Sequence, residues 1–155
     1  MILRIEKKYK KELPVSYVNL LKQQNGGSLI KKYFVKQYVD AFEVSDYVFE
    51  IVSILGISSD ESNTASLEYK TDVLREEIKE WELTAINPED IIVFGNDVSA
   101  GHANYLFDYS ESFKGDEPKI VYYDNELDHK FGLADNFEQF ISNLKIKEEL
   151  ELESI

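Results

Sequence analysis

The chain has 155 residues, 43% of them hydrophobic and 13% aromatic, with 17 basic against 30 acidic side chains and a net charge of −13. That length, with no internal repeat, points to one domain; the aromatic content excludes a disordered chain, and the charge excludes direct nucleic-acid binding. The absence of cysteine removes disulfides, thiolate metal sites and a cysteine nucleophile, so packing alone must hold the fold.

No apolar run reaches the ~20 residues of a membrane-spanning helix, and the start MILRIEKKYKKELP lacks the apolar core of a secretion signal, so a cytoplasmic protein without membrane contact is expected. A short basic helix is predicted from about Ile5 to Lys11, with Ile5 and Tyr9 on one face. Pro14 then suits the first turn of a helix in which Tyr17, Val18 and Leu21 recur at helical spacing, and Gly26 and Gly27 supply its left-handed stop. From Leu29 to Ile57 the chain is rich in Ile, Val, Tyr and Phe, as strands require. After the polar connector SSDESNTAS, the residues Leu67, Thr71, Leu74, Ile78 and Trp81 mark one face of a helix ending near Glu82.

Ile91 to Phe94, Tyr105 to Tyr109 and Ile120 to Tyr123 are short, β-prone and separated by turn residues, which predicts neighbouring antiparallel strands. Asp135 and Glu138 open a last helix whose shared face holds Phe137, Phe140, Ile141 and Leu144. The fold class expected is α+β: a single domain over residues 1–147, with a central, mostly antiparallel sheet flanked by helices, followed by a charged tail over 148–155 that extends as a frayed helix.

The stretch VFGNDVSAGHANYLFDYSES, residues 93–112, concentrates the residues that chemistry would need. Gly95 and Gly101 have the wrong spacing for a phosphate loop, and His102 stands where its lysine belongs. A dinucleotide fingerprint would open a helix, whereas the strand-like ANYLFDY follows here. Ser99 lacks the flanking glycines of a nucleophile elbow. Asp97, His102 and Asp108 could converge on a cation, but the alternating acids of a calcium loop are missing. No catalytic residue, metal site or cofactor is therefore assigned. Gly95 and Gly101 are read as conformational, Asp108 as a brace for the turn, and Tyr105, Phe107 and Tyr109 as one aromatic face of a strand.

Three segments taken in order, LPVSYVNLLKQQNGG, IIVFGNDVSAGHANYLFDYSES and KIVYYDNELDHKFGLADNFEQFISNL, resemble the SUKH superfamily of bacterial toxin-immunity proteins and fungal regulators of cell-wall synthesis. The matching positions are Leu13, Pro14, Tyr17, Leu21, Asn25, Gly26 and Gly27, then Phe94, Gly95, Gly101 and Asp108, then Val121, Asp124, Phe137 and Phe140. Two departures are a short lead before Leu13 and the sequence VSAGHAN in place of a glycine run followed by Asp. The resemblance implies a non-enzymatic domain that neutralises a cognate polymorphic toxin, often a nuclease, by stoichiometric binding. The alternative it implies is an interaction scaffold related to the fungal branch.

Charge distribution bears independently on the partner. Between Lys36 and Lys70 there is no basic residue, only Asp40, Glu43, Asp46, Glu50, Asp60, Glu61 and Glu68, and a second such interval separates Lys79 from Lys114. An acidic surface steers a basic partner, such as a toxin domain that handles nucleic acid. Asp40, Glu43, Asp46, Tyr47, Glu50, Asp97 and Asp108 are the expected partner-binding residues. Tyr38 and Phe49 are further aromatic candidates that could equally face the core.

Overall fold

The computed structural model describes residues 1–39, 42–60, 62–99, 101–112 and 116–153. Helices α1 (Ile2–Tyr9) and α2 (Val15–Gln23) lead into β1 (Gly27–Ser28), the long strands β2 (Tyr33–Val39) and β3 (Val44–Glu50), and β4 (Ser53–Ile54). Helix α3 (Leu67–Glu80) and a 3-10 turn precede β5 (Ile91–Asn96), β6 (Ala103–Asp108), β7 (Lys119–Asp124) and β8 (His129–Ala134), and α4 (Phe137–Ser142) and α5 (Lys147–Glu153) close the order. Six strands form an antiparallel sheet ordered β1-β4-β5-β6-β7-β8, while β2 and β3 form a separate two-stranded ribbon, tied at Tyr33 to Lys145 by an antiparallel bridge. The architecture is the expected α+β fold.

Both faces of the sheet are covered. Thr71 on α3 accepts a hydrogen bond from the Val93 amide at 2.9 Å, and Leu74 and Ile78 are buried beside it. On the opposite face Phe94 stacks on Phe107 at 4.4 Å, and Phe137 of α4 meets both rings edge-on, with Tyr17 of α2 against Phe107 and Phe137. Edge-to-face and offset stacking suit the ring quadrupoles, adding to what area burial contributes. Because helices cover both sides, every residue of β6 is buried. Its aromatic face is the expected one, with Tyr105 and Phe107 both against Phe94, and the alternate residues are buried on the other side.

The glycines of the first motif act differently from the expected helix stop. Helix α2 ends with Gln24 in extended backbone, and Gly26 (φ +84°) and Gly27 (φ +132°) lie beyond it. Gly26 runs so close to β4 that a Cβ there would stand 2.7 Å from the Gly56 amide nitrogen. Asn25 locks the approach, its side chain donating to the Ile57 carbonyl at 2.7 Å and accepting from the Ile57 amide at 2.8 Å.

Other expectations shift in detail. α1 starts earlier than predicted and ends at Tyr9, where the following Lys10 turns left-handed at φ 55°. Trp81 lies outside the buried face of α3: the helix stops at Glu80, and the indole, one residue past the last turn, is 54% exposed. α4 is capped by Asn136 rather than Asp135, with Asn136 accepting from the Gln139 amide at 2.8 Å and Gln139 accepting from the Asp135 amide.

Candidate functional site: the β2–β3 ribbon

Antiparallel pairing sets Phe34 opposite Phe49, Lys36 opposite Tyr47 and Tyr38 opposite Ser45 on one face of the ribbon. Tyr33 with Glu50, Val35 with Val48, Gln37 with Asp46 and Val39 with Val44 form the other. The first face lies on the main sheet: Phe34 stacks on Phe140 at 5.1 Å, and Phe49 packs against Tyr122 at 5.0 Å and Phe131 at 5.6 Å. Tyr38 donates to the Gly132 carbonyl at 3.1 Å, and burial, followed by the neighbouring Tyr47, pushes its phenol up to about 12. The ribbon is therefore anchored by one face along most of its length.

Its second face points away from the core. Val39 (73% exposed), Val44 (61%) and Val48 (55%) form an apolar ladder, and Phe42, two residues before β3, is 96% exposed. Single exposed apolar residues are ordinary, whereas several on one strand pair mark a contact surface. Acids are interleaved with them, since the outer face of β3 reads Val44, Asp46, Val48, Glu50. Among the described residues no basic group forms an ion pair with Asp46, which accepts only from Gln37 at 3.4 Å, whereas Glu50 lies 3.9 Å from Lys32. An apolar centre with a charged rim is the usual anatomy of a protein-binding patch.

Of the seven expected partner-binding residues, Asp46, Tyr47 and Glu50 lie on β3, Glu43 immediately precedes it, and Asp40 lies outside the described residues. Tyr47 occupies both worlds, 47% exposed while its ring meets Tyr38 at 5.2 Å and Phe131 at 6.2 Å. Phe49 is core. Asp97 is held by the Tyr122 hydroxyl and the Ser99 amide beneath the ribbon. Asp108 is buried on β6, where it braces the following turn by accepting from the Ser110 amide at 2.9 Å and from Lys130 at 3.1 Å. It lines, with Asp46, a cleft of about 760 Å³ beside β8. Asp97, His102 and Asp108 do not converge, because His102 instead pairs with Glu126 at 2.8 Å.

Sequence reasoning passed over Val39, Val44 and Val48, although their signal was present as an alternation in which valines and acids share one face of β3. It also overestimated the acidic surface elsewhere. Helix α1 brings Arg4 and Lys8 to Glu68 at 2.8 and 2.9 Å, Lys8 also reaches Asp72 at 2.7 Å, and Lys11 lies 3.6 Å from Asp90, so the amino-terminal bases offset acids of the middle segment. Burial pushes the Glu68 carboxyl upward, but the hydrogen bonds from Arg4 and Lys8 outweigh it and hold the group below its usual range.

The model of the SMI1 / KNR4 family (SUKH-1) matches residues 1–143. The chain belongs to that family. The match spans all six strands of the main sheet and the ribbon, and members of SUKH families act by binding other proteins. No curated protein matches the chain. The SUKH motif residues take structural places here: Leu13 is buried, Pro14 caps α2, Asn25 and Gly26 dock α2 to β4, and Phe137 joins the central aromatic cluster. Gly95 leaves room for Ile51, whose Cδ1 would stand 2.6 Å from a Cβ there, while Gly101 (φ +101°) meets nothing. None of the described helices is long and apolar enough to cross a membrane.

Proposed function

We propose that this chain is an immunity protein that neutralises a cognate polymorphic toxin by stoichiometric binding, without turnover, in the cytoplasm. The observation that carries the reading is the outer face of the ribbon, where Val39, Val44, Val48 and Phe42 are exposed among Glu43, Asp46 and Glu50. A toxin domain with a basic, nucleic-acid-handling surface complements such a face: the acids steer encounter and the apolar ladder supplies the desolvated centre. Asp40, next to the described ribbon, belongs to the same proposed patch, and Asp97 and Asp108 support it from below. Family membership supports protein binding as the mode of action.

The test is co-expression with the toxin encoded beside the gene, with growth as the readout and association of the purified pair as the second. Rescue by the wild-type chain, lost in a Val44→Lys, Val48→Lys variant that remains folded, is the expected result. Rescue undiminished by that variant would remove the ribbon from the contact. Absence of rescue with any adjacent toxin would favour the scaffold role related to the fungal branch.

A further inference from the structure

The chain has one tryptophan, and it lies outside the ribbon. Trp81 at the end of α3 makes none of the ring contacts that knit the core of the described residues, and instead lines a cleft of about 320 Å³ between that helix and the turns carrying His102 and Glu126. The floor is polar. Asn125, 3% exposed, donates through one side-chain nitrogen to Glu77 Oε2 at 3.0 Å and to the Gly101 carbonyl at 3.0 Å. Asn104, 6% exposed, donates to Asn125 at 3.4 Å, and its own side-chain oxygen has no donor among the described residues.

Apart from Lys70, what remains unspent in this cleft consists of acceptors. Asn125 uses one oxygen of Glu77, and His102 Nδ1 uses Oε1 of Glu126 at 2.8 Å, leaving an oxygen on each carboxylate beside that of Asn104. The cation lining the cleft, Lys70, is eleven residues before Trp81, roughly 16 Å away along a helix rising about 1.5 Å per residue. An indole and several free acceptors lining one cleft suit a flat cation with several donors. We propose that this cleft receives an arginine side chain from a protein partner, the guanidinium lying on Trp81 and donating to Glu77, Glu126 and Asn104. Arginine fits better than lysine because its planar fork stacks on an aromatic ring and serves several acceptors at once, and it is shed from water more readily than an ammonium. The net charge of −13 favours capture of such a cation. The inference does not rest on the ribbon reading, since it concerns a different face and is tested without a toxin.

Trp81 is its own reporter. The intact chain in low salt is titrated with the tripeptide acetyl-Gly-Arg-Gly-amide while indole emission is followed, alongside the citrulline and lysine analogues. A saturable change with the arginine peptide in the millimolar range is expected, with the citrulline peptide at least ~10-fold weaker, about 1.4 kcal/mol, and the lysine peptide weaker than arginine. Glu126→Gln, at the surface, and Glu77→Gln, which keeps an acceptor for Asn125, should each weaken the arginine peptide several-fold while far-UV circular dichroism shows both folded. Equal responses to arginine and citrulline, a lysine peptide as tight as arginine, no saturation, or unchanged affinity in the Glu126→Gln variant would each overturn the assignment.

Discussion

At the scale of single residues, the family motif around Asn25 is a joint, and its energetics follow from two hydrogen bonds and one close approach. Asn25→Ala would leave the Ile57 amide and carbonyl without their side-chain partners, a loss of about 1–3 kcal/mol for partly buried backbone groups. Gly26→Ala is expected to cost more than the ~1–2 kcal/mol of a left-handed alanine, because its Cβ would also press on the backbone of Gly56 at 2.7 Å and of Ile54 at 3.0 Å. Gly101→Ala adopts an unfavourable φ but meets no neighbour, so it should lie at the lower figure. Urea denaturation of the three variants checks the order, and a Gly101→Ala cost equal to that of Gly26→Ala would show that close packing contributes nothing at the joint. The motif LPVSYVNLLKQQNGG was legible as a helix with a glycine-marked end. That its glycines serve contact with β4 was not, because β4 is nearly thirty residues further on and spacing within a motif carries no information about what it touches.

Among elements, the ribbon separates residues that hold the fold from residues free to bind. Phe49→Ala removes a ring packed against Tyr122 and Phe131 and should cost about 3–5 kcal/mol, whereas Val48→Ala, next to it on the outer face, should stay within about 0.5 kcal/mol. Thermal melts of both variants decide it, and a large loss from Val48→Ala would mean that the outer ladder is structural. Strand character in this region was evident from its Val, Ile, Tyr and Phe content, and the three central strands were evident from their turns. That β2 and β3 leave the main sheet was not, since alternation identifies a face but not what covers it. β8, with Gly132 at its middle and a register shift against β7, went unread because its run HKFGLA opens on two polar residues and is broken by a glycine, so no apolar alternation announces an edge strand. Trp81 misled for a related reason: helical spacing placed it on the buried face, but the helix ends one residue before it.

For the whole molecule, two collective properties set conditions on stability and encounter. Association with a basic partner should be steered, so Glu43→Lys with Asp46→Lys should slow the on-rate most at low ionic strength and progressively less as salt shortens the screening length to about 8 Å near 0.15 M. Stopped-flow rates across a salt series measure this, and a rate unaffected by the reversal would exclude the acidic rim from encounter. The second property is the dense tyrosine core. Burial is the leading cause that raises the phenols of Tyr9, Tyr17, Tyr105, Tyr109, Tyr122 and Tyr123, with Asp72, Asp97 and Asp128 adding to it at Tyr9, Tyr122 and Tyr123 respectively, and Tyr38 is pushed up to about 12. A phenol whose folded value exceeds its unfolded value of 10.0 stabilises the fold fully below that value and loses the contribution as pH climbs toward the folded one. Unfolding free energy should therefore be level on the neutral side and fall steeply above about pH 10, with the tyrosinate absorbance of these buried phenols appearing together with loss of far-UV signal rather than ahead of it. Tyr17 is the sharpest single test: it is fully buried, donates to the Leu55 carbonyl at 2.6 Å, and has a ring wedged against Phe107 and Phe137. Tyr17→Phe removes the ionisable group and keeps the ring, so it should lower stability near neutrality by about 1–2 kcal/mol while making the alkaline limb shallower. An alkaline limb unchanged by this variant would mean that the core tyrosines do not drive the transition.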